Sequence, residues 1–199
     1  MDDSKTAIIT IYGINNLGKS TQVKILVDKL KNHGMACSLK YPIYDLEPSG
    51  PMIWKYLRDG NPFNLNPREA QILYTFNRLH FEARLQKEYL FKHDFVVLED
   101  YTGTGLAWGI GAGVDKKFLL KINQELLKED LAILLDGERF LEGKEIGHKH
   151  ETDDELTEKV RQTHLELAKE FGWRSVNANQ TKKQVSDQIY KIVANKFLF

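Results

Sequence analysis

The sequence predicts an α/β fold in three layers, in which helices cover both faces of a five-stranded parallel sheet. Short, continuous and β-branched apolar runs alternate with longer segments of helical periodicity, which is typical of buried parallel strands joined by helices. A chain of 199 residues with 42% hydrophobic residues is long enough for one domain with its own core. No linker, repeat or low-complexity tract divides it, so we expect a single domain over residues 1–199.

The predicted elements follow in a regular order. Strands are predicted at 7–12, 36–41, 95–98 and 130–135, with a weaker one at 175–177. Helices are predicted at 21–31, 67–91, 116–127 and 183–197, with an amphipathic stretch around 53–57. The helix at 67–91 carries apolar residues at Ile72, Leu73, Phe76, Leu79 and Leu85.

The balance of charge restricts the possible partners. Lysine plus arginine number 28, as do aspartate plus glutamate, so the formal net charge is zero. Nucleic-acid-binding domains usually carry a basic excess, and we therefore expect no nucleic-acid partner. The acidic, polar start at residues 1–5 does not resemble a secretion signal, and no apolar run reaches the length of a membrane span. We expect a cytoplasmic protein without a membrane partner, and the single Cys37 excludes an internal disulfide.

One strong motif follows the first predicted strand and opens the first helix. It matches the phosphate-binding pattern G-x-x-x-x-G-K-[ST] with Gly13-Ile14-Asn15-Asn16-Leu17-Gly18-Lys19-Ser20, here named the P-loop. Glycines let the backbone wrap a phosphate with its N–H groups, and the helix presents its positive end to the same anion. In this pattern Lys19 reaches the β- and γ-phosphates, and the Ser20 hydroxyl ligates Mg²⁺.

The P-loop alone leaves several nucleotide-binding classes open. The Asn-Lys-x-Asp motif of guanine readers is absent at its nearest match, because Phe197 and Leu198 follow Asn195-Lys196. A length of 199 residues is small for a motor ATPase and suits a small-molecule kinase.

Six further segments, in matching order, narrow the choice. They are Tyr-Pro-Ile-Tyr at 41–44, Leu-Tyr-Thr-Phe-Asn-Arg at 73–78, Val-Leu-Glu-Asp-Tyr at 97–101, Thr-Gly-Leu-Ala-Trp at 104–108, Leu-Leu-Asp at 134–136 and Gly-His-Lys-His-Glu at 147–151. With the P-loop, whose end reads Gly-Lys-Ser-Thr, they resemble the thymidylate kinases, P-loop kinases that pass the γ-phosphate of ATP to dTMP. The order and spacing of the segments carry this resemblance over nearly the whole chain.

The resemblance implies a donor site for ATP and Mg²⁺. The implied ATP contacts are Gly13, Asn16, Leu17, Gly18, Lys19, Ser20, Thr21, Arg139 and Asn179. Ser20 and Glu99 would hold the metal, because a carboxylate at the end of a parallel strand lies at the ligand crevice. The implied catalytic residues are Lys19, Glu99 and Lys149, the last within a short lid over about 138–152.

The resemblance also implies an acceptor site and a homodimer. Tyr74 matches the aromatic residue on which the thymine ring stacks, and Arg78 lies one helical turn further on the same face. Trp108 stands where the family has Tyr or Phe in the nucleoside pocket. The complete implied acceptor set is Asn15, Pro42, Tyr44, Tyr74, Arg78, Asp100, Tyr101, Gly105 and Trp108.

Four departures from the family pattern bear on the acceptor. Tyr44, Asp100 and Asn16 stand where family members carry arginines, and Asn15 replaces an acidic residue. Since successive strand residues face opposite sides, Glu99 and Asp100 are expected not to face the crevice together while the strand continues. The departures leave two alternatives to a dTMP kinase: a P-loop kinase of another nucleotide or of a nucleoside, and a catalytically weak nucleotide-binding relative.

Overall fold

The computed structural model describes residues 6–140 and 153–198, in which strands and helices alternate. The strands are β1 (Ala7–Tyr12), β2 (Ala36–Lys40), β3 (Phe95–Glu99), β4 (Leu131–Asp136) and β5 (Arg174–Asn177). The helices are α1 (Lys19–Leu30), α2 (Ser49–Arg58), α3 (Pro67–Glu88), α4 (Thr102–Gly111), α5 (Lys116–Asn123), α6 (Asp154–Phe171) and α7 (Lys182–Phe197).

The five strands form one sheet in the order β2-β3-β1-β4-β5, and every neighbouring pair is parallel. All residues of β1 and β3 are buried, as their unbroken apolar sequences predict for central strands covered on both sides. The fold class predicted from the sequence is confirmed.

Consecutive strand residues belong to different apolar clusters, one on each face of the sheet. Ile9 and Ile11 join the cluster that contains the buried faces of α1 and α7. Ile8 and Tyr12 join a second cluster, which contains Phe81 of α3. The central sheet is therefore held between two apolar layers, and its carboxyl edge stays available for a site.

The N-terminus of helix α3 is capped by side chains. Asn66 and Glu69 form a reciprocal capping box in which each side chain accepts from the other's backbone N–H, and Pro67 occupies the first turn. The helix ends at Glu88, three residues before the predicted end. Leu73 and Leu85 are buried, whereas Ile72, Phe76 and Leu79 are 50%, 40% and 49% exposed.

Two helices were not predicted from the sequence. Helix α4 contains four glycines, which weaken helical propensity, yet it is stabilised by packing against α6. Helix α6 has a largely polar sequence, and its Asp153 side chain caps the first turn while Gly172 ends it in a left-handed conformation. In the two described ranges, no helix is both long and apolar enough to cross a membrane.

The buried His164 of α6 makes the fold sensitive to acid. Its Nδ1 lies 3.0 Å from the carbonyl oxygen of Val160, and burial, with a smaller effect of the Lys19 charge, lowers its pKa to about 3. The unfolded chain therefore binds more protons than the native protein between pH 3 and the ordinary histidine value near 6.5, so stability falls as the pH drops through this window.

We expect this histidine to cost about 2 kcal/mol of unfolding free energy between pH 7 and pH 5. Urea unfolding at both pH values measures the difference. In a His164→Leu protein the pH dependence should shrink by that amount, whatever the variant's absolute stability. An unchanged difference between the two pH values would contradict the assignment.

Candidate active site

A cavity of about 440 Å³ lies at the carboxyl edge of the sheet. Its volume is typical of small-molecule sites, and this edge is where parallel α/β sheets bind ligands. The lining residues come from the P-loop, the ends of β2 and β3, and helices α1 to α4: Asn15, Asn16, Gly18, Lys19, Ser20, Thr21, Lys40, Tyr41, Pro42, Tyr44, Leu57, Arg58, Gln71, Tyr74, Arg78, Glu99, Asp100, Thr104, Gly105 and Trp108.

The P-loop has backbone conformations that require its glycines. Gly13 has a φ of 142°, and a Cβ there would stand 2.6 Å from the carbonyl oxygen of Leu135. Gly18, with a φ of 80°, turns the chain into α1. The N–H of Phe140 donates to the carbonyl of Asn16 at 2.9 Å, which ties the segment after β4 to the loop. The loop thus lies against the N-terminus of α1, where an anion is favoured.

Lys19 is held at the centre of this loop. Its buried Nζ donates to the carbonyl oxygens of Gly13 at 2.7 Å and Ile14 at 3.0 Å. The same ammonium lies 3.4 Å from Oδ2 of Asp100. The cation predicted to bind phosphates is therefore positioned by the loop that would bind them.

Ser20 and Glu99 lie together, as the predicted metal site requires. The Ser20 hydroxyl donates to Oε1 of Glu99 at 2.8 Å, and Lys40 Nζ lies 2.9 Å from the same carboxylate oxygen. Both Ser20 and Glu99 offer oxygen atoms, the ligand type that Mg²⁺ prefers, and Mg²⁺ sites commonly use only one or two protein oxygens beside phosphate and water. The donor set fits the ion.

The alternation expected for Glu99 and Asp100 does not hold, because β3 ends at Glu99. Asp100 has a left-handed φ of 64°, so the chain turns and both carboxylates line the cavity. Its Oδ1 accepts from the Thr104 hydroxyl at 2.7 Å. Burial raises the pKa of Asp100, and the nearby Lys19 charge opposes this rise.

Tyr74, Arg78 and Trp108 also line the cavity, and the part that they line is named its aromatic end. Arg78 is fully buried; its Nη1 donates to Asn123 Oδ1 at 2.8 Å, and its guanidinium lies 5.1 Å from the centre of the Tyr41 ring. Burial also raises the pKa of Tyr74, which therefore keeps its phenol neutral. This end presents flat aromatic surface beside one cation.

Several predicted site residues lie outside the cavity wall. Leu17 is buried in the core, and the buried Tyr101 donates its hydroxyl to Glu82, so both support the wall from behind. Arg139 donates to Thr157 at 3.0 Å, and Asn179 accepts from the backbone N–H of Glu138 at 2.6 Å. The predicted Lys149 and most of the predicted lid lie outside the described residues.

The sequence did not single out several residues that line the cavity, notably Lys40, Arg58, Gln71 and Thr104. Lys40 ends β2 directly before the predicted Tyr-Pro segment, so its position carried a usable signal. Arg58 comes from the last turn of α2, where a basic residue is ordinary, and only tertiary structure brings it to the cavity.

Comparison with known proteins decides the family. A family model described as thymidylate kinase matches residues 11–189. The chain belongs to the thymidylate kinase family. As a thymidylate kinase family member it is an ATP-dependent nucleoside monophosphate kinase, and the resemblance read from the sequence is confirmed.

Individual thymidylate kinases match it along nearly their whole length. A thymidylate kinase of Dictyostelium discoideum is 28% identical, over 98% of this chain and 90% of the relative. A probable thymidylate kinase of Methanocaldococcus jannaschii is 30% identical, over 93% of each chain. A solved thymidylate kinase structure from Candida albicans is 27% identical with a TM-score of 0.76, over 96% of this chain and 92% of that chain.

Gly105 leaves the space that Arg78 occupies. A Cβ at Gly105 would stand 1.8 Å from Arg78 Nη2, so the guanidinium must move in a Gly105→Ala protein. We expect a loss of about 1–3 kcal/mol of unfolding free energy, measured by urea denaturation.

The same substitution in an Arg78→Ala background is the matched control. With the guanidinium removed, Gly105→Ala should cost much less, since the added methyl group then enters vacated space. Equal losses of unfolding free energy in both backgrounds would contradict a steric conflict between residue 105 and the Arg78 guanidinium.

Proposed function

We propose that the protein transfers the γ-phosphate of ATP to dTMP, giving ADP and dTDP. The observation that carries the proposal is a single cavity joining the phosphate-binding P-loop to the aromatic end formed by Tyr74, Arg78 and Trp108. A donor and an acceptor bound at the two ends would place their phosphates next to each other. Such positioning supplies much of the catalysis in phosphoryl transfer.

In this proposal the P-loop and the start of α1 bind the ATP phosphates. Lys19 exchanges its loop carbonyl contacts for phosphate oxygens and stabilises the negative charge that develops during transfer. Arg139 and Asn179 are proposed for the adenine end, where hydrogen bonds to α6 and to Glu138 fix their side chains. Lys149 of the lid remains a predicted catalytic cation.

Ser20 and Glu99 are proposed to hold Mg²⁺, on the strength of their shared oxygen contact. When bound, the ion would neutralise charge on the donor phosphates. Glu99 also pairs with Lys40, so metal binding there is expected to be coupled to the position of that lysine.

At the acceptor end, the thymine ring is proposed to stack on Tyr74 and to lie beside Trp108 and Arg78. The Arg78 Nε has no hydrogen-bond partner in the described ranges, which supports a role in ligand contact. An oxygen of the acceptor phosphate attacks the γ-phosphorus in line as the bond to the β,γ-bridging oxygen breaks. That oxygen is already anionic, so no general base is required.

The proposal predicts that Lys19→Ala lowers transfer to dTMP by at least about 10²-fold, because the phosphate-binding cation is lost. A coupled ADP-release assay with dTMP, other nucleoside monophosphates and thymidine measures both rate and acceptor choice. Lys24→Ala is the matched control, since Lys24 is an exposed lysine of the same helix.

Unchanged turnover in a folded Lys19→Ala protein would contradict the kinase mechanism. A wild-type preference for another nucleotide or for a nucleoside would replace dTMP as the acceptor. Binding of ATP without turnover on any acceptor would indicate a nucleotide-binding relative without catalysis.

We also propose that the protein is a homodimer, formed through the outer face of α3. Ile72, Phe76 and Leu79 are spaced by four and three residues, so they form one exposed apolar stripe. A contiguous apolar stripe on a helix is typical of an interface. We further propose that the protein is cytoplasmic, as expected from its sequence.

Phe76→Glu is expected to raise the dimer dissociation constant by about 10²-fold or more, since a carboxylate would be buried without a partner. Light scattering coupled to size-exclusion chromatography across a dilution series measures it. Phe91→Glu, at a phenylalanine that is 81% exposed away from the stripe, is the control. A wild-type protein that is monomeric at high concentration would overturn the proposed dimer.

A further inference from the structure

The charges of the cavity wall are unevenly distributed. Four cationic and two anionic side chains line it, a net of two positive charges. Each carboxylate contacts one lysine: Asp100 lies 3.4 Å from Lys19, and Glu99 lies 2.9 Å from Lys40. The other two cationic residues that line the cavity are Arg58 and Arg78.

The two arginines differ in position. Arg78 is completely buried at the aromatic end, fixed by Asn123 and enclosed by Gly105. Arg58 is half-buried in the last turn of α2, on the wall that also contains Leu57 and Tyr44. Of these two guanidiniums, that of Arg58 has the greater access to a ligand in the cavity.

Tyr44 holds the Arg58 side chain. The guanidinium carbon lies 5.3 Å from the centre of the Tyr44 ring, and Nη1 donates to the Tyr44 hydroxyl at 3.2 Å. A cation over an aromatic face with an added hydrogen bond loses part of its rotamer freedom before any ligand binds. Tyr44 is therefore a platform for Arg58.

The platform shares its cavity with the phosphate-binding residues. Tyr44 and Arg58 line the same cavity as Lys40, Glu99 and Ser20. Lys40 contacts Glu99, and Glu99 contacts Ser20 of the P-loop. Arg58 thus lines the cavity that also contains the phosphate-binding loop.

We propose that Arg58, positioned by Tyr44, binds the phosphate of the acceptor nucleotide. This inference rests on the proposed function, and it assigns the specificity for a phosphorylated acceptor to helix α2. A phosphate monoester carries close to two negative charges at neutral pH, so a guanidinium on the cavity wall suits it. The planar guanidinium suits two parallel hydrogen bonds to phosphate oxygens.

The test compares the binding of dTMP and thymidine, which differ only in the phosphate. Titration calorimetry on Arg58→Ala should show dTMP bound about tenfold more weakly or worse, with thymidine affinity within about twofold of wild type. Arg58→Lys should recover part of the loss, because the charge returns without the planar fork. Lys55→Ala, which removes a lysine one turn earlier in α2, should change neither affinity.

Kinetics give an independent readout. In Arg58→Ala the KM for dTMP should rise about tenfold or more, with the KM for ATP unchanged. Tyr44→Phe should cost less than Arg58→Ala, since the ring remains. In the Tyr44→Ala background, Arg58→Ala should add little, because the arginine has already lost its platform.

Equal losses of dTMP and thymidine affinity, or no loss of either, would overturn the role of Arg58. Thermal unfolding separates these outcomes from a general loss of structure. If the wild-type protein prefers a different nucleotide, the proposed function is revised, and that nucleotide with its own nucleoside tests Arg58 in the same way. If no nucleoside monophosphate binds more tightly than its nucleoside, both proposals fall.

Discussion

The parallel pairing of β1 with β3 fixes the phosphate end of the cavity. In this register Ile11 stands opposite Glu99, and the N–H of Asp100 donates to the carbonyl of Ile11 at 3.1 Å. The P-loop begins two residues after Ile11, so the carboxylates that end β3 lie beside it. A shift of the register by one residue would exchange the two faces of β3 and remove Glu99 from Ser20. The site is a consequence of strand register as much as of the motif.

The electrostatics of the site follow from the same arrangement. Two buried carboxylates beside a phosphate-binding loop would repel the substrates if they stood alone. Each instead contacts a lysine, and Arg58 and Arg78 also line the cavity. A chain with zero net charge can therefore hold a cationic pocket, because opposite charges elsewhere on the molecule balance it.

The sequence predicted what depends on local pattern. The strands were predictable because their apolar runs are short and unbroken, and the Tyr74–Arg78 pair because helical periodicity puts residues four apart on one face. Helix α4 was missed because its glycines hide a helix that tertiary packing stabilises. The direction of the Asp100 side chain depends on the left-handed backbone conformation of that one residue. The contact of Arg58 with Tyr44 joins two residues 14 positions apart in the sequence. Neither is encoded in a periodic pattern.

The arginine that the resemblance leads one to expect at position 44 is absent. The guanidinium of Arg58, from α2, instead lies beside the Tyr44 side chain.

Helix α3 has one face toward the cavity and one apolar face toward the outside. Tyr74 and Arg78 face the cavity, while Ile72, Phe76 and Leu79 face outward from the same rigid rod. A force applied to the outer face, by a neighbouring molecule or by a substitution, would tilt the rod and move the inner face with it. In the proposed homodimer, association and substrate affinity would be linked thermodynamically, and the linkage would act equally in both directions. Helix α3 would then couple an oligomeric state to an acceptor pocket without any moving loop.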